Sequence, residues 1–286
     1  MNTMITDFFG VFDIFGPFTE NQFMQLALAA CCLMSLSAAP LGVFLSFKRM
    51  SLTGDALGHA LLPGAATGYL IFGLNVSAMT LGGLFTGLLI AFASSFLSFR
   101  KKSTVDSSLA ALYLISLSLG VVLVSLKGTQ MDLMHFLFGH LLAVDPSALF
   151  VIGGVACCTL VILFLILKAL LLQVSDPTWA QFRNIPIRQV EFIFLFLVVL
   201  NLVAAFQVLG TLMAVGLMIL PGVSARLWSH SIQGLIGISI VIALIGCFSG
   251  LLLSFYTNLP SGPTIVLTLG LIYLASAAKH LLGRNT

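Results

Sequence analysis

Long apolar blocks separated by short polar interruptions make up most of this chain. A helix needs about 20 apolar residues to cross the hydrocarbon core of a bilayer. The charge-poor blocks predict eight or nine such helices, over 22–47, 52–72, 76–99, 107–126, 147–171, 190–209, 211–227, 232–256 and 263–278. The sixth and seventh are short and closely joined, which makes one of them a candidate for an incomplete crossing. The pattern therefore predicts an all-α, polytopic membrane bundle, with residues 1–286 forming a single transmembrane domain. Composition agrees. The chain is 59% hydrophobic and 7% charged, against roughly 25% charged in ordinary soluble domains, and its mean hydropathy is +1.15.

The basic residues set the orientation. With these spans, Lys48, Arg49, Arg100, Lys101, Lys102, Lys168, Arg183, Arg188, Arg226, Lys279 and Arg284 share one side, and Lys127 stands on the other. Asp7, Asp13, Glu20, Asp132 and Asp145 fall with Lys127. The first set is then cytoplasmic, with the N-terminus outside and the C-terminus inside. Residues 1–20 lack a basic leading region and read as an aromatic-rich, extracytoplasmic lead-in rather than a cleaved signal. The net charge of +3 reflects this loop asymmetry and carries no nucleic-acid signal. Cys31, Cys32, Cys157, Cys158 and Cys247 all lie in predicted spans and read as packing residues. Glycines four apart, such as Gly54 with Gly58 and Gly64 with Gly68, predict closely packed helices.

Asp55 and His59 stand four residues apart in an otherwise apolar block. One helical turn separates them, so both leave the same helix face. A carboxylate in an apolar segment costs roughly 2.5–3.5 kcal/mol on insertion scales, and such groups normally face protein, water or an ion. An aspartate and an imidazole so placed are two ligands for one divalent metal. Pro63 removes the N–H that would bond the His59 carbonyl, and Gly64 follows it, which predicts a helix break beside the pair. Pro40 with Gly42, and Pro221 with Gly222, predict similar breaks. The competing reading makes Asp55 a helix N-cap near the cytoplasmic surface, two turns after Lys48 and Arg49.

Two loops are long. In the outer one, Asp132 and His135 share a helical face, and His140 lies five residues further on. These histidines suit either an interfacial position or an outer metal path. The inner loop, 172–189, holds Asp176 as a helix N-cap, Pro177 at the first helical position and Asn184 as a left-handed terminator. The predicted two-turn helix presents Trp179 and Phe182, a docking surface for a soluble partner or an interfacial helix on lipid.

Four runs carry a family resemblance. They are Lys48-Arg49-Met50-Ser51-Leu52 with Gly54-Asp55-Ala56-Leu57, His59-Ala60 and Leu62-Pro63-Gly64; Asp132-Leu133-Met134 with Leu137-Phe138-Gly139 and Leu141–Val144; Leu220-Pro221 with Ala225-Arg226; and Phe255-Tyr256, Pro260, Gly262-Pro263 and Val266-Leu267. Together they resemble the ABC-transporter permeases that import zinc, manganese or iron, and most of all the zinc-uptake permeases of Gram-negative bacteria. The resemblance implies a bacterial inner-membrane homodimer, a cytoplasmic ATPase dimer that binds ATP, and a periplasmic metal-binding protein. It implies that Asp55 and His59 line the metal path, with the metal as cargo rather than a permanent cofactor. It also implies that the loop around Asp176, Pro177, Trp179, Ala180, Phe182 and Asn184 couples to the ATPase. The chain departs from the family pattern at Asn184, near where members often carry Gly, and at His140, where close relatives often carry Asp or Asn.

Other functions fit less well. The chain has no Gly-x-x-x-x-Gly-Lys-Ser/Thr loop, so it is not itself the ATPase, and no His-Glu-x-x-His metalloprotease motif. An aspartyl intramembrane protease would need a second intramembrane aspartate. An ion-coupled secondary transporter could use buried ionisable groups but needs no docking loop. Imidazole favours zinc, whereas carboxylate and carbonyl oxygens also suit manganese.

Overall fold

Lipid offers no hydrogen-bond partners, so an apolar chain crossing it must satisfy its backbone internally, and helices do so segment by segment. The computed structural model describes residues 16–73, 75–101, 105–126, 145–175, 179 and 186–282, and there the chain is helices joined by short turns. They are α1 (Gly16–Glu20), α2 (Gln22–Phe47), α3 (Thr53–Ala60), α4 (Leu62–Phe72), α5 (Val76–Lys101), α6 (Val105–Leu126), α7 (Pro146–Ser175), α8 (Ile187–Ala225), α9 (Ile232–Thr257) and α10 (Ser261–Leu282). Seven apolar stretches among the described residues are long enough to cross a membrane. The two that fall short of the expected eight or nine are informative. The predicted 52–72 span is divided into α3 and α4 at Leu61, and the predicted 107–126 span is α6, a single helix of 22 residues.

The centre of the molecule is α2 packed against α8. Phe44, Leu41, Leu45, Phe194, Leu195 and Leu217 are fully buried there, and Phe44 meets Phe194 edge to face. α7 and α9 pack on α2, and α10 closes on α8 and α9. Phe85, Phe150 and Phe164 point outward, as lipid-facing positions do.

At 39 residues, α8 would be about 58 Å long if straight, roughly twice the hydrocarbon thickness. Gly210 breaks it, with φ 76° and ψ 168°. Near one end of α8, Glu191 lies 3.5 Å from Lys48, which caps the C-terminus of α2. At the other, Arg226 donates to the Ser46 carbonyl and hydroxyl, both at 3.0 Å. Both ends thus meet the same end of α2, so α8 is a hairpin that reverses at Gly210. Its arms contain the predicted sixth and seventh spans, and each contains an apolar stretch long enough to cross (Ile187–Phe206 and Val208–Ala225).

Pro40 and Pro221 do not act as the breaks the sequence suggested. Each lies inside a helix that continues past it, within α2 and within α8. A proline removes one backbone donor, and neighbouring helices compensate for that loss in a membrane bundle. Gly64 serves the close packing that its four-residue spacing from Gly68 predicts, and it lies within α4 without breaking it. A side chain there would collide with the Gly82 carbonyl and the Thr86 hydroxyl, so Gly64 allows α4 to lie directly against α5.

The described cations gather at one end. Lys279 lies 4.2 Å from the centre of the Trp228 ring, whose Nε1 donates to Ser276 Oγ at 2.9 Å. Asp145, beside the start of α7, lies at the opposite end. This arrangement is the one the positive-inside reading requires.

Candidate functional site

α2 ends in a short turn that delivers the chain into α3. Arg49 adopts φ 58°, Met50 N donates to Leu45 O at 2.9 Å, and Thr53 N donates to Met50 O at 3.0 Å. Thr53, Gly54, Ala56, Leu57, Gly58 and Ala60 are buried, so most of α3 is packed against α5, α6 and α8. Gly54 faces Met218 and Ile219, and Gly58 faces Val215 and Phe206. Phe206 and Val215 flank the reversal at Gly210. Gly42, five residues inside the end of α2, also packs on Met218. That sets Gly54 about 7 Å in from the end of α2, at 1.5 Å per residue, with Gly58 deeper still. α3 therefore runs from beside Met218 towards the hairpin tip at Gly210.

Asp55 and His59 occupy the remaining face of α3. Their Oδ1 and Nε2 atoms stand 3.6 Å apart, with the Asp55 side chain 61% exposed and His59 32% exposed. Asp55 is not the N-cap. That position belongs to Leu52, and Asp55 is the third residue of the helix. Two donors held at about 2.1 Å by one ion at the tetrahedral angle stand about 3.4 Å apart. The pair is within a few tenths of an ångström of a chelating arrangement. Among the described residues it gathers no third His, Cys, Asp or Glu.

The break beyond His59 is tighter than an unwound segment. Leu61 remains right-handed (φ −75°, ψ −21°), its N–H reaches back to Gly58 O at 3.4 Å, and Pro63 occupies the first turn of α4. Ser116 on α6 donates its hydroxyl to the Ala60 carbonyl at 3.0 Å. A neighbouring helix thus fastens the joint, a contact that sequence reasoning missed because Ser116 looks like any other serine in an apolar helix.

Of the other predicted residues, Trp179 is helical and 51% exposed. Asp132, His135, His140, Asp176, Pro177, Ala180, Phe182 and Asn184 lie outside the described residues. Pro221 is buried in the second arm of α8.

A model of the ABC 3 transport family matches residues 20–280. The chain belongs to that family. It is 31% identical over 260 residues to the manganese transport system membrane protein MntC of Halalkalibacterium halodurans, covering 91% of this chain and 88% of the relative. It is 32% identical over 255 residues to the high-affinity zinc uptake system membrane protein ZnuB of Haemophilus influenzae, covering 89% and 96%. Among solved structures, PsaBC from Streptococcus pneumoniae in complex with Fab superposes with a TM-score of 0.79 at 29% identity, covering 92% of this chain and 94% of that one. This family member is a metal-ion ABC-transport permease, a multi-pass protein of the bacterial plasma membrane.

Proposed function

We propose that this chain is the permease subunit of an ATP-driven importer, moving divalent metal from a periplasmic binding protein into the cytoplasm. Zinc is the preferred cargo, with manganese or ferrous iron as alternatives. The observation that carries the reading is the Asp55–His59 pair, on a face of α3 that the described residues leave partly exposed. A carboxylate there facing lipid would bear the insertion cost. A second copy of the chain against this face removes that cost, brings a second Asp–His pair, and makes the interface a cation path. In this reading α3 with α4 forms one crossing and α6 another, which completes nine.

The choice of zinc rests on the imidazole and on a donor separation near the tetrahedral value. The relatives do not divide on it, since those named for manganese and for zinc are almost equally similar. An ion in transit must also leave, so two ligands per chain suit transport better than a closed four-ligand site. ATP binds a separate ATPase dimer, which docks on the 172–189 loop through the exposed Trp179.

The experiment is metal uptake into vesicles containing the permease, its ATPase and the periplasmic partner, with zinc, manganese and ferrous iron competing. ATP-dependent uptake led by zinc is expected. Uptake by the permease alone, driven by a proton gradient without ATP, would replace this reading with secondary transport.

A further inference from the structure

Lys48 is placed for a task that topology does not explain. Its side chain is only 8% exposed, and its ammonium lies 3.5 Å from Glu191 Oε1, on a side chain that is itself 12% exposed. The same ammonium donates to Gln173 Oε1 at 3.5 Å and sits 5.3 Å from the centre of the Phe194 ring. A buried charge persists only where it is paired, and the partners here come from two other helices. Gln173 lies in the last turn of α7 and Glu191 in the second turn of α8. These two helices flank the 176–185 segment, so Lys48 ties both of its stalks to the end of α2.

From Lys48 the chain has four residues before α3 begins. That turn is closed by backbone hydrogen bonds from Lys48 N to Phe44 O, Met50 N to Leu45 O and Thr53 N to Met50 O, with Met50 itself buried. A displacement of α7 and α8 at their loop ends is therefore passed on to α3, which carries Asp55 and His59.

We propose that Lys48 is the positioning residue that links movement of the α7–α8 loop to the Asp55–His59 helix. This rests on the importer reading above and names how its site is driven. Lys48 touches neither ATP nor metal, so its loss uncouples the two ends while leaving each able to work.

The test uses the complete complex of permease, ATPase and binding protein in vesicles, and reads metal taken up per ATP hydrolysed. Metal binding by the detergent-solubilised permease is measured in parallel. Lys48→Met is expected to lower metal per ATP about 10-fold, the scale of a typical coupling free energy, with metal binding unchanged. Lys48→Arg keeps most of the coupling, and the exchange Lys48→Glu with Glu191→Lys recovers part of it, which a loss of packing alone would not allow. If Lys48→Met does not assemble, Glu191→Gln takes its place with the same expected direction. A wild-type ratio in an assembled Lys48→Met complex overturns the proposal. So does uptake that falls only in proportion to the amount of assembled complex. Failure of the Asp55–His59 reading would appear elsewhere, as unaltered metal binding in Asp55→Ala.

Discussion

Replacing Gly210 with alanine isolates the reversal that puts Phe206 and Val215 against α3. At φ 76° and ψ 168°, Gly210 occupies a backbone region essentially restricted to glycine. Holding a residue with a Cβ there costs of order 1–3 kcal/mol. That corresponds to a fall of about 5- to 150-fold in the folding equilibrium. Gly237 on α9 is the control, because a Cβ there would meet nothing within 4 Å. Alanine in an open helical position is favoured over glycine by roughly 0.5–1 kcal/mol, so Gly237→Ala is expected to be neutral or stabilising. Reversible unfolding in mixed micelles, titrated with a denaturing detergent and followed by circular dichroism, gives both values. Gly210→Ala is also expected to slow uptake, since the hairpin tip seats Gly58. An unfolding free energy for Gly210→Ala within about 0.5 kcal/mol of wild type, the range of inert surface changes, would refute the hairpin argument.

Ser116→Ala removes the hydroxyl donated to the Ala60 carbonyl and should cost about 0.5–1.5 kcal/mol in the same unfolding measurement, with slower uptake; unchanged values in both would show that the joint after His59 does not depend on α6. Asn201 Nδ2 donates to Thr159 Oγ1 at 2.7 Å inside the bundle. A cycle of Asn201→Ala and Thr159→Ala should give a coupling near 0.6 kcal/mol and no more than about 1.7, and additivity would dismiss the contact as glue between α7 and α8. Trp179→Ala should weaken co-purification of the ATPase while leaving metal binding by the permease unchanged, and normal co-purification would assign Trp179 to the lipid surface instead.

The apolar helices were legible because lipid forces a direct relation between apolar length and helix, and the gathering of cations at one end was legible because the spans fix which helix ends share a side. The Asp55–His59 pair was legible because i,i+4 spacing fixes a common face whatever surrounds it. Its depth was not, since that depends on which residues of α8 lie beside Gly54 and Gly58. The sequence marks breaks with proline, yet Pro40 and Pro221 leave their helices continuous, and the sharpest reversal falls at Gly210. The junction at Gly210 was legible, since the predicted sixth and seventh spans leave only that residue between them, but its sharpness was not, because the reversal packs both arms against α2. Gly64 carries two signals, and the packing predicted by its four-residue spacing from Gly68 prevails over the loosened turn suggested by its place beside a proline. Lys48 contributed to the topology as one cation among many, and its partners on α7 and α8 lie 125 and 143 residues away in the chain.

Equilibrium binding of zinc and manganese to the purified permease, compared with Asp55→Ala and His59→Ala, addresses the central claim most directly. Each substitution removes one of two donors that stand 3.6 Å apart. Both variants are expected to assemble normally and to bind metal at least about 10-fold more weakly, within the 10- to 100-fold range typical of losing even an outer-shell partner at a metal site. Wild-type affinity in both, with normal assembly, would contradict the account and place the cation path elsewhere in the bundle.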